Sequence, residues 1–155
     1  MIQEDKQKLD KQNLLMYLCM ALPYDLMGDR LGVTRKIISV NISDRTITLS
    51  NGDYMPNTYY LDAAVLPIKP YLRPLSSMTE EEKEKLKSLY DAENVTNESI
   101  CFLEGGTLEE YEAEISFVFC YCIVEWLLEN HFDFMGLIPK GLAIEINKDN
   151  NPYKK

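Results

Sequence analysis

The sequence predicts an α+β fold: a small antiparallel β-sheet of three to five strands, packed with a long central helix near the C-terminus and an N-terminal helix. Three observations support this prediction. Apolar residues recur at helical spacing in residues 107–130, a second helical stripe occupies residues 6–22, and apolar and polar residues alternate between residues 35 and 50. Helix and strand periods differ, at roughly 3.6 and 2 residues, so the two patterns can be told apart.

The central helix is predicted to begin with a capping box. Thr107 is followed three residues later by Glu110, so each side chain can bond the backbone N–H of the other. A membrane span needs about 20 apolar residues, whereas this run is shorter and contains Glu125. We therefore expect the buried helix of a soluble core. Its apolar face consists of Tyr111, Ile115, Val118, Cys122 and Trp126.

The N-terminal helix is predicted over residues 6–22 and ends before Pro23, because the residue that precedes a proline avoids helical geometry. Residues 24–31 (YDLMGDRL) fit either a short strand or a loop. The apolar stripe of this helix consists of Leu15, Leu18, Cys19 and Leu22.

The alternation in residues 35–50 predicts a β-hairpin with a turn at residues 43–45. Asn51 and Gly52 form a second turn signal, since both residues tolerate positive φ. We expect a further strand over residues 59–66, which Pro67 ends or places at a sheet edge. The residues predicted to face inward in the first strand are Ile38, Val40 and Ile42.

The chain after this sheet is predicted to run through an extended connector, a short helix and a last strand. Residues 67–77 contain three prolines, which disfavour a hydrogen-bonded ladder. Thr79 and Glu82 form a second capping box that starts a helix over residues 80–90. Alternation in residues 142–146 predicts a final strand. Residues 1–147 form one predicted domain, and residues 148–155 a frayed C-terminal tail.

Composition narrows the classes of function. The chain has 155 residues and a formal net charge of −9, which argues against direct binding of nucleic acid, since a phosphate backbone requires a positive field. Residues 104–133 contain carboxylates but no Lys or Arg, so this segment presents either a solvated acidic face or a surface for a basic partner. The charged N-terminus has no signal-peptide pattern, and the four cysteines form no CxxC motif. We expect a cytoplasmic protein that does not enter a membrane.

The sequence favours a non-enzymatic protein without cofactor or metal. His131 is the only histidine, and no Ser or Cys lies in a G-x-S-x-G pattern. The stretch from Gly28 to Gly32 is too short for a phosphate loop, and neither a Walker sequence nor G-x-G-x-x-G occurs. Carboxylates that meet only in the folded chain could still act as general acid and base.

Two stretches, residues 69–82 (KPYLRPLSSMTEEE) and 124–147 (VEWLLENHFDFMGLIPKGLAIEIN), resemble a group of small uncharacterised proteins of Bacteroidetes bacteria and their phages and prophages. The Leu22-Pro23-Tyr24 step after a leucine-rich helix is similar to the same group. This resemblance implies a phage or mobile-element origin and supplies no activity. Residues 25–64 take no part in it, and a functional surface could lie there.

Two hypotheses on function follow. The first is an intracellular protein of phage or prophage origin that acts by binding a host or phage protein. The alternative is an oligomeric protein that binds or sequesters a small molecule, such as a nucleotide-like signal, with sites between subunits. An exposed apolar patch would favour the first hypothesis, and a concave pocket with convergent polar groups would favour the second. The predicted ligand-binding residues are Arg73, Tyr71, His131 and Lys140.

Each of these assignments has a structural alternative. Arg73 could pair with a carboxylate of the central helix, and His131 could cap the end of that helix, where the dipole favours a cation. The tyrosines near the predicted sheet could line a ligand pocket or a partner surface, or could simply complete the core and its rim. They are Tyr24, Tyr54, Tyr59, Tyr60 and Tyr71.

Overall fold

A computed structural model describes residues 2–63, 68–92 and 121–154. The chain forms two compact units: unit 1 comprises Met1–Leu72 and Leu137–Lys155, and unit 2 comprises Arg73–Gly136. The described residues contain three α-helices and six β-strands, so the predicted α+β class is confirmed. All six strands lie in unit 1.

The first helix, α1, spans Ile2–Ala21 and therefore starts earlier than predicted. It continues into a 3-10 turn, Leu22–Tyr24, which contains Pro23 near its start, where a proline costs no hydrogen bond. The helix contacts strand β2. Its buried face is rotated relative to the predicted stripe, since Cys19 and Leu22 are only half-buried. The buried residues are Leu14, Leu15, Tyr17, Leu18 and Ala21.

The sheet of unit 1 has the strand order β4-β3-β2-β1-β5-β6. All neighbours pair antiparallel except β5 and β6, which are parallel. The predicted antiparallel sheet of three to five strands was therefore wrong in strand number and in orientation at one edge. The strands are β1 Met27–Arg30, β2 Val33–Asn41, β3 Thr46–Asn51, β4 Tyr54–Tyr60, β5 Lys69–Leu72 and β6 Ile144–Glu145.

The interior strands β1 and β5, which were not predicted as strands with certainty from the sequence, lack the alternation that marks a half-buried strand. β5 contains Pro70 and was predicted as an unpaired connector, yet it pairs with β1 on one side and β6 on the other. In β1, Gly28 has no side chain, and Ile37 and Ile68 pack over it. Long-range pairing thus determines these strands, rather than their local sequence pattern.

The predicted hairpin is confirmed as β2 and β3, which are joined through a turn in which Arg45 has φ +52°. A register shift between Ile37 and Ser39 changes which residues face the core. Ile37 is buried, whereas Ile38 and Ile42 are exposed, so the predicted inward face of this strand was wrong.

The predicted strand over residues 59–66 lies earlier in the chain. β4 ends at Tyr60, and residues 61–63 form a turn, while residues 64–67 lie outside the described part. β4 is an edge strand, where Pro56 is tolerated because one side of the strand needs no partner.

Unit 2 contains α2, Glu80–Ala92, and the helix Tyr121–Glu129, called α3, which are in contact. The second capping box is confirmed: Glu82 N donates to Thr79 Oγ1 at 3.2 Å, and Thr79 N donates to Glu82 Oε2 at 2.8 Å. The long central helix is not seen in the described residues, where α3 covers nine residues. The predicted start of that helix, with its capping box at Thr107, lies outside them.

α3 ends in a Schellman motif, the hydrogen-bond pattern that closes many helices. His131 N donates to Leu128 O, and Phe132 N donates to Leu127 O. His131 occupies the left-handed position, with φ +58°, that glycine usually fills. The Phe132 ring stacks on Trp126, with centroids 5.7 Å apart, and completes the apolar contact typical of this motif.

The residues after Asn147, expected as a frayed tail, include the half-buried Tyr153. The hydroxyl of Tyr153 accepts a hydrogen bond from Met27 N at 3.0 Å and donates one to Tyr71 O at 3.1 Å. It therefore links the C-terminal segment to β1 and β5. Within the described residues, no helix is both long enough and apolar enough to cross a membrane.

Candidate functional site

The four residues predicted to bind a ligand fall two in each unit. In unit 2, Arg73 and His131 meet through their backbones, since Arg73 N donates to His131 O at 2.8 Å. The Arg73 guanidinium lies 4.2 Å from the centroid of the Phe132 ring. It also donates to both carboxylate oxygens of Glu82, at 2.7 and 2.8 Å. The expected carboxylate partner thus comes from α2 and not from the helix that contains Trp126.

In unit 1, Tyr71 and Lys140 have different partners. The Tyr71 hydroxyl lies 3.2 Å from Thr34 Oγ1, and Lys140 Nζ lies 3.1 Å from Asp10 Oδ1 on α1. Each of the four predicted residues therefore has a structural partner within its own unit. Their role in ligand binding stays a prediction.

A pocket with a volume of about 260 Å³ lies on the sheet of unit 1. It is on the same face of β2 and β3 as the core, because Ile37 pairs with Leu49 and Leu49 pairs with Asn57. The buried Leu49 side chain forms part of the wall. The lining residues are Arg30, Leu31, Val33, Arg35, Leu49, Ser50, Asn51, Asn57 and Tyr59.

Two arginines dominate the charge of this pocket. The Arg30 guanidinium lies over the Tyr59 ring, with Cζ 4.1 Å from the ring centroid, a cation–π geometry that orients the group. Arg35 is exposed at the pocket. Neither arginine has an ion-pair partner among the described residues.

The other described lining residues add donors without adding negative charge. Asn51, Asn57 and Ser50 can donate hydrogen bonds from amide or hydroxyl groups, and no Asp or Glu is among the described residues that line the pocket. In a chain with net charge −9, this is a local concentration of positive charge. Guanidinium groups bind carboxylates and phosphates through paired hydrogen bonds, so the pocket can bind an anion.

The turn between β1 and β2 places one wall of the pocket. Leu31 and Gly32 are its two central residues, with φ of +52° and +82°. Asp29 Oδ2 accepts a hydrogen bond from Gly32 N at 3.1 Å and so holds the turn. Because two residues separate the strands, Arg30 lies directly opposite Val33 in the register. The hairpin thereby fixes the spacing of the arginine and the apolar rim.

Several large apolar side chains of unit 1 are exposed. On the edge strand β4, the side chains of Tyr54, Met55 and Tyr60 are 79%, 85% and 69% exposed. Ile38 and Ile42 of the β2–β3 hairpin are also exposed. An edge strand with exposed apolar side chains can pair with a strand of another chain.

Potential metal ligands do not cluster in the parts of the chain that the structure describes. No group of three or more His, Cys, Asp or Glu side chains is placed there to hold an ion. The absence of metal and cofactor from the function stays a prediction.

Comparison with protein-family models, with curated proteins and with solved structures finds no match for this chain. The resemblance to the Bacteroidetes and phage group therefore stays a prediction.

Sequence reasoning found part of the pocket. Tyr59 was among the tyrosines considered for a ligand site, and residues 25–64 were the region considered for a functional surface. Arg30 and Arg35 were missed, because residues 24–31 were left open between a strand and a loop and Arg35 was considered only as part of the predicted hairpin. The signal that could have found them is the Gly32 turn followed by a strand, which predicts a tight hairpin with an arginine on either side of the turn.

Proposed function

We propose that this chain is a non-enzymatic binding protein, and that its ligand is a small anion held by Arg30 and Arg35. The observation that carries the proposal is the pairing of these arginines in one pocket, with Arg30 stacked on Tyr59. The stack keeps the Arg30 guanidinium in place before a ligand arrives, which reduces the entropy lost on binding. This corresponds to the small-molecule alternative derived from the sequence, but at different residues.

The size of the pocket limits the ligand. Pockets for drug-sized molecules occupy about 300–1,000 Å³, and this one is smaller, at about 260 Å³. A carboxylate or a phosphate with a compact body fits these dimensions. The residues that line the pocket all belong to unit 1. From the sequence resemblance, we also propose a phage or prophage origin, and from the cysteine usage a cytoplasmic location.

The first test is an NMR titration of the ¹⁵N-labelled protein with inorganic phosphate and, separately, with acetate. We expect backbone amide shifts at Arg30, Asn51 and Asn57, with a millimolar dissociation constant, of the order expected for about 4 kcal/mol of binding free energy. Added salt should weaken the interaction, because the pocket is open to solvent and its charges are screened. Comparison of the two anions shows whether the pocket prefers a carboxylate or a phosphate.

Three variants test whether the arginines cause the binding. Arg35→Gln removes one charge and leaves the Arg30–Tyr59 stack in place, whereas Arg30→Gln removes the stacked group. Each should weaken phosphate binding by at least about tenfold, since a guanidinium contributes two charge-assisted hydrogen bonds. Lys36→Gln is the matched control: Lys36 neighbours Arg35 in sequence and pairs with Asp25. Equal loss in all three variants would reject the pocket as the site.

A second candidate function is the binding of a protein partner, as the first sequence hypothesis holds. The observation that favours it is that β4 is an edge strand of the described sheet and exposes Tyr54, Met55 and Tyr60. An edge strand can accept a strand from another chain, although Pro56 interrupts its hydrogen-bond donors.

Anion binding and partner binding can be separated in one affinity purification from a lysate of the organism that encodes the chain. The wild-type protein is compared with a β4 variant (Tyr54→Ser, Met55→Ser, Tyr60→Ser) and with the Arg30→Gln/Arg35→Gln variant. A protein that is retained by wild type and by the arginine variant, but lost from the β4 variant, would support partner binding at β4. Equal retention by all three would reject that surface.

A further inference from the structure

Leu31 adopts a backbone conformation that its side chain disfavours. Its φ of +52° lies in the left-handed region, and it occupies the first central position of the two-residue turn between β1 and β2. Asn, Asp and Gly are the residues favoured at this position of such hairpins, whereas a leucine there is uncommon. The side chain gains nothing from burial that would offset this, since it is 85% exposed.

The side chain of Leu31 belongs to the rim of the anion pocket. Leu31 and Val33 both line it, and Val33 is also exposed. They flank the arginines closely, because Arg30 precedes Leu31 in the chain and pairs with Val33 across the hairpin. The pocket therefore joins a cationic part, formed by Arg30 and Arg35, to an apolar part, formed by Leu31 and Val33.

We infer that the ligand is an amphipathic anion, whose carboxylate or phosphate binds the two arginines while an apolar group, such as a small ring, packs on Leu31 and Val33. This inference rests on the proposed anion binding and adds the class of ligand. A leucine held in an unfavourable conformation, with no buried contact of its own, is explained when a bound molecule covers it. Backbone strain of this kind is concentrated at binding sites.

The test compares four probes by isothermal titration calorimetry: inorganic phosphate, phenyl phosphate, acetate and benzoate. If the pocket prefers phosphate, phenyl phosphate should bind at least about tenfold more tightly than inorganic phosphate; if it prefers a carboxylate, benzoate should exceed acetate by the same factor. This gain is expected from burying the equivalent of roughly two methylene groups. The pair that shows the larger gain identifies the head group. A heat-capacity change more negative for the phenyl compound would show that apolar surface is buried.

The variant Leu31→Asn separates conformational strain from ligand contact. Asparagine tolerates positive φ better than leucine does, so this variant should unfold at a higher temperature. It should also lose most of the affinity gain that the ring provides, because it removes the apolar contact. Val33→Thr, which has nearly the same shape, should reduce the same gain without the increase in melting temperature. If Leu31 only shaped the turn, Leu31→Asn would raise the melting temperature without reducing the affinity gain that the ring provides.

The outcomes distinguish the inference of an amphipathic ligand from the proposed anion binding on which it rests. If phosphate or acetate binds through the arginines but the ring adds no affinity, the amphipathic ligand is rejected and the anion site stands. If none of the four probes binds, both are rejected. If Leu31→Asn melts higher and keeps the full gain from the ring, Leu31 does not contact the ligand and the inference fails. A lower melting temperature for Leu31→Asn would also overturn it, because the leucine would then carry no conformational cost.

Discussion

Arg73 donates hydrogen bonds to both carboxylate oxygens of Glu82, at 2.7 and 2.8 Å, while one of those oxygens also accepts the Thr79 N–H of the capping box. The two charged side chains are mostly buried, with 24% and 22% exposure. The Arg73 guanidinium also covers the Phe132 ring, just beyond the end of α3. Glu82 thus connects the start of α2 to the segment that follows α3 within unit 2.

We expect unit 2 to lose stability in acid through this carboxylate. The hydrogen bonds from Arg73, and then those from Thr79, hold the pKa of Glu82 below its ordinary value. A lowered pKa contributes stability that is present above the unfolded value, roughly pH 4.3, and is lost as the pH falls below it. Glu82→Gln should therefore lower the free energy of unfolding by about 1–2 kcal/mol at pH 7 and by much less at pH 3.

The measurement can be made specific to unit 2. Trp126 is the single tryptophan of the chain and stacks on Phe132, so its fluorescence during urea unfolding reports this unit. Glu84→Gln is the control, because Glu84 is an exposed acid on the same helix. A stability difference between wild type and Glu82→Gln that is independent of pH would contradict the assignment.

A second prediction concerns the end of α3. His131 has a φ of +58°, and a residue with a side chain pays about 1–2 kcal/mol in this conformation. Glycine avoids this cost but loses more backbone entropy on folding. His131→Gly should therefore raise the free energy of unfolding by about 0.5–1 kcal/mol, measured by Trp126 fluorescence.

His131→Ala separates the backbone effect from the loss of the imidazole. Alanine removes the ring but keeps the Cβ that disfavours positive φ. We expect no gain in stability from this variant. A similar gain from alanine and glycine would show that the imidazole itself destabilises the native state, and the helix-termination argument would then be wrong.

The parts of the fold that the sequence predicts are those determined over a few residues. The Thr79–Glu82 capping box joins atoms three residues apart, and the β2–β3 hairpin follows from alternation and one turn. The pairing of Gly28 with Pro70 has no such local signal, because each strand acquires its partners only when distant segments meet. The parallel position of β6 depends on β5 in the same way.

The candidate site likewise combines features visible in the local sequence with contacts that depend on distant segments. Tyr59 stands out in the sequence as an aromatic residue in a β region, but its contact with Arg30 depends on the full β1-β2-β3-β4 order. Conversely, Arg73 looked like a ligand-binding residue because it is a charge within an apolar stretch. Only the folded chain shows that it pairs with Glu82 and covers the Phe132 ring, while its role in ligand binding stays a prediction.

A third prediction concerns Gly28, which is buried in β1. A Cβ at this position would lie 2.9 Å from Ile68 Cγ2 and 3.1 Å from Ile37 Cδ1, closer than side chains normally approach. Gly28→Ala should reduce the free energy of unfolding by about 1–3 kcal/mol, the usual effect of overpacking a core. Far-UV circular dichroism during urea unfolding measures this loss.

A double-mutant cycle identifies the clash as the cause. Ile68→Ala removes Cγ2 and should destabilise the protein alone, by leaving a cavity. The double variant Gly28→Ala/Ile68→Ala should lose less free energy of unfolding than the sum of the losses in the two single variants, because the new methyl group enters the space left by Ile68. Strict additivity would show that Gly28 is needed for a reason other than contact with Ile68.

The last prediction concerns Tyr153, whose hydroxyl lies between β1 and β5. Tyr153→Phe removes the acceptor of the Met27 N–H and the donor to the Tyr71 carbonyl. An unsatisfied buried backbone group costs about 1–3 kcal/mol, so we expect a loss of free energy of unfolding in this range. Tyr60→Phe is the control, because Tyr60 is exposed and surface substitutions change stability by roughly 0.5 kcal/mol or less.

The same hydroxyl gives this prediction a pH dependence. Burial raises the pKa of Tyr153 above its ordinary value, so the folded state favours the neutral phenol. A raised pKa contributes stability that is present below the unfolded value, roughly pH 10, and is lost as the pH rises above it. Wild type should therefore lose more stability between pH 9 and pH 11, both approximate limits of the titration, than Tyr153→Phe does. Equal losses in the two proteins would indicate that the C-terminal segment does not hold this hydroxyl between the strands in solution.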